Sequence, residues 1–307
     1  MIVCCGEALI DMLPRRSEAG EDAFAPYAGG AIFNTAIALG RLGCPVEFLS
    51  GLSTDLFGDL LRETLAKSRV GTRYAITSDR PTTLAFVRLD GGNASYTFYD
   101  ENTAGRMVEP DRLPAIADEV AAMHFGAISL IPEPCGSAYE ALMARETDRR
   151  VIMLDPNIRP GFIADPASHR KRMERMIAMA DIVKLSDEDL AWFGEPGGDE
   201  EQARRMLDRG PRLVVITRGA RGATAFTRSH RVSVLAPKVT VADTVGAGDT
   251  FNAGLLAALS DAGLLSKDPI AALTESRIAD ALSLGVRVAA VTVSRAGANP
   301  PWRHELG

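Results

Sequence analysis

Lysine is scarce in this chain of 307 residues, supplying only five of its 34 basic side chains. The arginine excess is what a G+C-rich coding bias produces and carries no functional reading. Acidic residues outnumber basic ones, 40 to 34, so the formal charge is −6 and the isoelectric point lies near 5.4. Such a field repels nucleic acid and anionic membrane surfaces, and no basic stripe relieves it. Cysteine is sparse too. Cys4, Cys5, Cys44 and Cys135 contain no Cys-x-x-Cys spacing, which excludes a zinc ribbon or disulfide scaffold and leaves reduced, packed thiols. No apolar run approaches the ~18 residues a membrane helix needs. No glycine directly precedes a lysine, which excludes a Walker-type phosphate loop. Residues 1–12 lack a basic leader and carry Glu7 and Asp11, so they read as a first strand and not a secretion signal. With 46% hydrophobic residues the chain can bury a large core. The expectation is a globular, cytoplasmic protein acting on small molecules.

What is present is alternation. Short β-rich runs at 2–12, 46–52, 123–130, 151–155, 182–185 and 213–217 are separated by helical patterns at 55–67, 136–149, 167–179 and 199–208. The last helix is closed by Gly210-Pro211, a C-terminal stop. This rhythm predicts βαβ units around a mostly parallel sheet with helices on both faces. Residues 13–27 and 82–99 break it. In the second stretch, Ala85–Leu89 and Ser95–Tyr99 flank the turn Asp90-Gly91-Gly92-Asn93, a hairpin signal. A hairpin among βα units predicts a small sheet projecting from the body and covering a site at its edge. No repeat or low-complexity linker suggests a second independent domain.

The strongest chemical signal is Asp243-Thr244-Val245-Gly246-Ala247-Gly248-Asp249-Thr250-Phe251, followed by a small-residue helical run at 252–259. Gly and Ala at a helix start leave backbone N–H groups uncovered, and the positive helix end reinforces them as a cradle for a phosphoryl group. Asp249, in the first turn, then stands where a hydroxyl nucleophile meets the transferring phosphate, in position to act as general base. A dinucleotide fold would place its glycines after the first strand, where this chain has Cys5-Gly6-Glu7.

This segment resembles the D-T-x-G-A-G-D signature of the ribokinase-like (PfkB-type) sugar kinases. A second family signature, Gly-Gly followed by Asn, is matched by Gly29-Gly30-Ala31-Ile32-Phe33-Asn34, and the similarity runs from about residue 2 to 298. The resemblance implies one three-layer α/β/α kinase domain over 1–307, with a mostly parallel central sheet and a small β-sheet lid inserted at about 12–28 and 81–104. It implies Mg-ATP as phosphoryl donor, Asp249 as base, and Gly246, Ala247 and Gly248 as anion hole. A monovalent cation, K+, is often used near this turn, which by similarity involves Asp243, the Val245 carbonyl and the loop 294–298.

At the sugar end, Asp11 is a carboxylate on an otherwise apolar strand, and buried carboxylates need partners such as sugar hydroxyls. Gly29-Gly30 permits close approach of a ligand, and Asn34 is expected to open a helix running to Leu42. The resemblance carries Asp11, Gly29, Gly30 and Asn34 over as sugar contacts, and Arg159, in Asp155-Pro156-Asn157-Ile158-Arg159-Pro160, as a guanidinium reaching substrate or phosphate. Thr217, Gly219 and Gly222 match the family's T-x-G-x-x-G turn against the ATP phosphates. Lys184, Ser186 and Asp189 correspond to its K-x-N-x-x-E pattern for magnesium and phosphate through water, with Ser186 for Asn and Asp189 for Glu. Ser186 is equally a helix cap with acids in the first turn.

Gly6–Asp11, 155–160 and 184–188 most resemble the fructokinases within the family, so fructose is the expected acceptor. The alternative is 2-keto-3-deoxygluconate, whose carboxylate Asp100 would repel unless Arg106 or Arg159 compensates. A nucleoside is a weaker option, resting on the lid aromatics Phe86, Tyr96, Phe98 and Tyr99 as a stacking surface. A silent sugar or nucleotide sensor would not require Asp249. Exposed lid edges invite pairing with a second lid, and so a homodimer.

Overall fold

The computed structural model describes residues 1–90 and 93–307. In chain order its strands are β1 (Ile2–Cys5), β2 (Leu9–Arg16), β3 (Asp22–Gly29), β4 (Val46–Leu49), β5 (Gly51–Ser53), β6 (Ile76–Ser78), β7 (Leu84–Asp90), β8 (Asn93–Tyr99), β9 (Ala122–Gly126), β10 (Val151–Asp155), β11 (Ile182–Ser186), β12 (Leu213–Thr217), β13 (Ala223–Phe226) and β14 (Arg231–Val234). The helices are α1 (Ala31–Arg41), α2 (Leu56–Lys67), α3 (Cys135–Glu146), α4 (Pro166–Met179), α5 (Asp187–Phe193), α6 (Asp199–Arg209), α7 (Ala247–Asp261), α8 (Lys267–Ala271) and α9 (Glu275–Val293).

The large sheet has the order β14-β13-β12-β11-β10-β9-β1-β4. From β4 to β12 every pairing is parallel, and β13 and β14 add an antiparallel edge. Its parallel strands are buried and mostly apolar on both faces, as a sheet covered on both sides requires. Ile2, Cys4, Met153 and Val215 pack against α1, α7 and α9, while Val3, Cys5, Leu154 and Val214 pack against α3, α4 and α6. The result is the expected three-layer α/β/α arrangement. All four cysteines are buried and unbonded.

The second sheet, β3-β2-β7-β8, is drawn from two separate stretches joined by parallel β2–β7 pairing. β7 and β8 form the expected hairpin; its glycines, Gly91 and Gly92, lie outside the described residues.

Three expected strands prove shorter than their apolar runs. The run 2–12 is two strands in different sheets, because the chain leaves the large sheet at Gly6 and enters the small one at Leu9. The run 46–52 divides at Ser50 into β4 and β5, and 123–130 ends at Gly126 and tightens into a 3-10 turn, Ala127–Leu130. Apolar residues resume directly after each break, and only Gly6-Glu7 at the first marks one with a charge, so periodicity does not register the other two. Helix ends are better marked. Asp55 caps α2 by accepting from Phe57 and Gly58 N–H, and Asp165 caps α4 in the same way.

Candidate active site

Parallel strands deliver their C-terminal ends to one edge of the large sheet, and several polar residues collect there, among them the expected Arg159, Lys184, Ser186 and Thr217. Glu7 follows β1, Asp155 and Arg159 end or follow β10, Lys184 lies within β11 and Ser186 ends it, and Thr217 ends β12. The N-terminus of α7 descends onto the same edge, where Asn252 Nδ2 donates to Asp155 Oδ2 at 2.7 Å.

α7 opens at Gly246, which takes φ +78°, and no side chain caps it. A Cβ at Gly246 would lie 2.7 Å from that of Ala298, so conformation and space both demand glycine. First-turn N–H groups of a helix have no intrahelical acceptor. Here Ala247 N–H turns back to the Thr244 carbonyl at 3.3 Å. Asp249 is buried. Its Oδ2 accepts from Asn34 Nδ2 at 2.9 Å, and its backbone carbonyl accepts from Thr35 Oγ1 at 3.0 Å. Burial pushes the Asp249 carboxyl up to about 6; the Asn34 bond opposes the rise, the Asp155 carboxylate adds to it, and Lys184 and Arg159 oppose it.

Lys184 is buried and donates to Asp155 Oδ2 at 3.0 Å. Its Nζ would stand 3.1 Å from a Cβ at Gly248, so the ammonium faces the turn that opens α7. Burial disfavours its charge, but Asp155, Asp189 and Asp249 together outweigh that and raise its pKa. The lysine stays protonated.

Ser186 and Asp189 form a capping box at α5. Asp189 Oδ2 accepts from Ser186 N–H at 2.8 Å and Ser186 Oγ at 2.7 Å, and Oδ1 accepts from Ile158 N–H at 2.6 Å. Both carboxylate oxygens therefore have protein partners. Gly219 and Gly222 shape the tight β12–β13 turn, with Thr217 Oγ1 donating to the Leu185 carbonyl at 3.3 Å. Asp243 accepts from Val245 N–H at 3.0 Å and from Gly297 N–H at 2.9 Å, tying the glycine turn to the 294–298 loop.

At the other end, Asp11 lies on β2 opposite Tyr27, and burial pushes its carboxyl up to about 6. Its Oδ2 lies 2.3 Å from where a Cβ at Gly29 would be. Strand alternation carries Ala85 and Phe98 in line with Asp11, and Tyr96 to the same face. Phe86 and Tyr99 point the other way, where Phe86 meets Phe24. The four aromatics expected as one surface are thus split between two faces. Asn34 lies within α1 rather than opening it, because Gly30, with φ +111°, starts the helix.

Between the small sheet and the body lies a cavity of about 710 Å³, lined by Glu7, Phe98, Asp100, Arg106, Ser129 and Phe162 among others. Arg106 donates to Asp100 Oδ1 at 3.2 Å, so the guanidinium at this wall is already neutralised. Phe98 and Phe162 meet edge to face at 4.5 Å.

Sequence reasoning passed over Glu7, Thr35, Ser129, Phe162 and Asn252 as site residues. Asn252 was accessible, since it lies three residues after Asp249 and so on the same helix face. Glu7 was not, because its partners are 24 to 122 residues away.

An α/β sheet with a glycine turn and a buried carboxylate at its ligand-binding edge, partly covered by a second small sheet, is the ribokinase-like arrangement. The comparisons take this further: the chain belongs to the pfkB family of carbohydrate kinases, whose model matches residues 1–305, and it is a phosphotransferase. It is 57% identical over 278 residues to a fructokinase of Rhizobium leguminosarum bv. trifolii, covering 91% of this chain and 85% of that one. Its fold matches the fructokinase of Xylella fastidiosa solved with bound ATP, with a TM-score of 0.89 and 29% identity, covering 99% of this chain and 97% of that one. It also matches the fructokinase of Vibrio cholerae O395 in its fructose-, ADP- and calcium-bound form, with a TM-score of 0.82 and 25% identity, covering 97% and 94%.

Proposed function

We propose that this enzyme transfers the γ-phosphate of Mg-ATP to fructose, at the 6-hydroxyl. The observation that carries the mechanism is the buried Asp249 carboxylate at an uncapped helix start, held by Asn34 and faced by the Lys184 ammonium. Asp249 takes the hydroxyl proton as the oxygen attacks. The Gly248 and Asp249 amides, with the Gly246–Ala247 turn, receive the charge on the transferring phosphoryl group. Lys184 adds a fixed positive charge on the same side.

Asp11, Gly29, Gly30 and Asn34 hold the acceptor, and Arg159 reaches substrate or phosphate. Its charge is felt at both Asp249 and Tyr96, where burial is the larger influence. Thr217, Gly219 and Gly222 receive the nucleotide. The substrate assignment rests on the 57% identical fructokinase, with the Asp100–Arg106 pair taking one of the guanidinium groups a sugar acid would need.

Among the described residues no three His, Cys, Asp or Glu side chains cluster as a metal cage. Mg2+ keeps several waters and arrives on substrate phosphates; Asp155, whose Oδ1 has no protein partner among those residues, would meet it through water, with Asp189 beside it held by Ser186 and Ile158. When bound, the ion neutralises charge on the phosphates. Asp243, the Val245 carbonyl and the 294–298 loop would hold K+. The small sheet serves as the lid. Its outward Phe24, Phe86 and Tyr99 give a second copy an apolar face, and a dimer in the cytoplasm is the proposed state.

The test is ADP release with Mg-ATP over fructose, 2-keto-3-deoxygluconate, ribose, glucose and adenosine. Fructose-dependent turnover supports the reading, and a preference for another acceptor replaces the substrate while keeping the mechanism. Silence on all five despite nucleotide binding favours the sensor.

A further inference from the structure

Glu7 stands where the chain passes from the large sheet to the small one. Its Oε1 accepts from Ala31 N–H at 2.8 Å and Ile32 N–H at 3.4 Å, and its Oε2 accepts from Ser129 N–H at 3.4 Å. Those first two donors are the opening amides of α1. The N-cap of α1 is Gly30, which has no side chain to satisfy them. Nor can it gain one, since a Cβ there would lie 2.9 Å from the Glu7 carbonyl. The usual local cap, Ser, Thr, Asp or Asn at the N-cap position, is therefore barred. The carboxylate from 23 positions upstream takes its place.

What α1 carries makes this more than a helix cap. One turn inside it, Asn34 donates to the Asp249 carboxylate and Thr35 to the Asp249 carbonyl. Both ends of the β2–β3 arm enter the body at this point, between Cys5 and Leu9 and between Gly29 and Ala31. One side chain thus fixes the junction of the lid, the Gly29-Gly30 turn and the helix that orients the base.

We infer that Glu7 is a positioning residue for the acceptor half of the site, acting through α1 as a remote cap that allows position 30 to be glycine. The inference depends on hydrogen bonding and not on charge, and it rests on the reading of Asn34 and Asp249 given above. Burial pushes the Glu7 carboxyl up to about 7, and the Ala31 and Ile32 N–H bonds oppose that rise because they favour the ionised, fully accepting form.

The experiment compares wild-type enzyme with Glu7→Ala and Glu7→Gln. It uses the acceptor on which the wild type turns over fastest, so that a wrong sugar assignment does not disturb it. Glu7→Ala is expected to lower kcat about 10-fold to 100-fold and to raise the acceptor KM about 10-fold, with the KM for ATP within two-fold. Hydrogen exchange at the Ala31 and Ile32 amides, read without substrate, is expected to accelerate at least 10-fold. Glu7→Gln, which keeps an acceptor oxygen, is expected to restore kcat to within about three-fold. If Glu7→Ala does not fold, Glu7→Asp, one methylene too short, is read in its place. Acceptor kinetics within two-fold of wild type, equal losses for ATP and acceptor, or a Glu7→Gln variant as impaired as Glu7→Ala would each overturn the inference. Accelerated exchange with unchanged kinetics would also overturn it, by leaving only a structural cap.

Discussion

The two ends of the site are built on different principles. The phosphate end is made of element termini locked into the body: the start of α7, the ends of β10 and β11, and a buried Asp155–Lys184–Asn252 cluster. The acceptor end is made at junctions, where β2 and β3 leave the body and α1 begins, with a cavity of about 710 Å³ beside it. The first arrangement suits a group that is the same for every member of a kinase family. The second is drawn from separate segments and touches the first through α1, where Asn34 and Thr35 bond to Asp249.

The largest effect should come from the phosphate end. Asp249→Asn is expected to lower kcat by roughly 10²-fold to 10⁴-fold while sparing acceptor binding, as measured by steady-state turnover and a sugar titration. A near-normal rate would remove Asp249 from the mechanism. The same substitution should stabilise the fold near pH 8. A carboxyl held above its unfolded pKa binds more protons folded than unfolded, so its ionisation costs stability as pH rises from about 4 through about 6, and that cost persists above. Removing it should gain on the order of 1–3 kcal/mol in denaturant titrations at pH 8, and less at pH 4.

At the acceptor end, Asp11→Ala should raise the sugar KM about 10-fold to 100-fold, the loss of one or two charge-assisted hydrogen bonds, with kcat changed far less. An unchanged sugar titration would erase the contrast between the two ends. Smaller still is the pH effect. A base with pKa near 6 is active ionised, so kcat should hold above that value and fall as pH drops through about 6. An acid limb centred near 4 would show that Asp249 is better solvated during turnover than in the structure described.

This division also explains what was legible in the sequence. The phosphate end is local: Asp243 to Asp249 fall within seven positions, and glycine beside acid at a helix start is a pattern with a mechanism. The parallel sheet and most helices followed from periodicity and caps. The acceptor end depends on contacts between distant segments, and so the break at Ser50, the split of the aromatics and the reach of Glu7 to α1 were not readable. Asn34 was singled out as a site residue but misplaced as a helix opener, because Gly30 starts α1 through its backbone conformation rather than through a capping side chain. Ser186 with Asp189 shows the reverse case: the structural reading, a capping box, is the one the hydrogen bonds display.

β2 turns Asp11 to one face of the small sheet and its neighbour Met12 to the other, where Met12 packs against the core of the body, a division set by the two-residue period of a strand. The length of chain between Glu7 and Asp11 is therefore fixed as strictly as the residues themselves. Deleting or inserting one residue there would exchange carboxylate for thioether on the face proposed to meet the acceptor, whereas changes of length in the exposed bend at 17–21, beyond the last strand pairs, leave the phase of both strands intact. Natural variation in this arm should accordingly show indels clustered at its tip and none at its base.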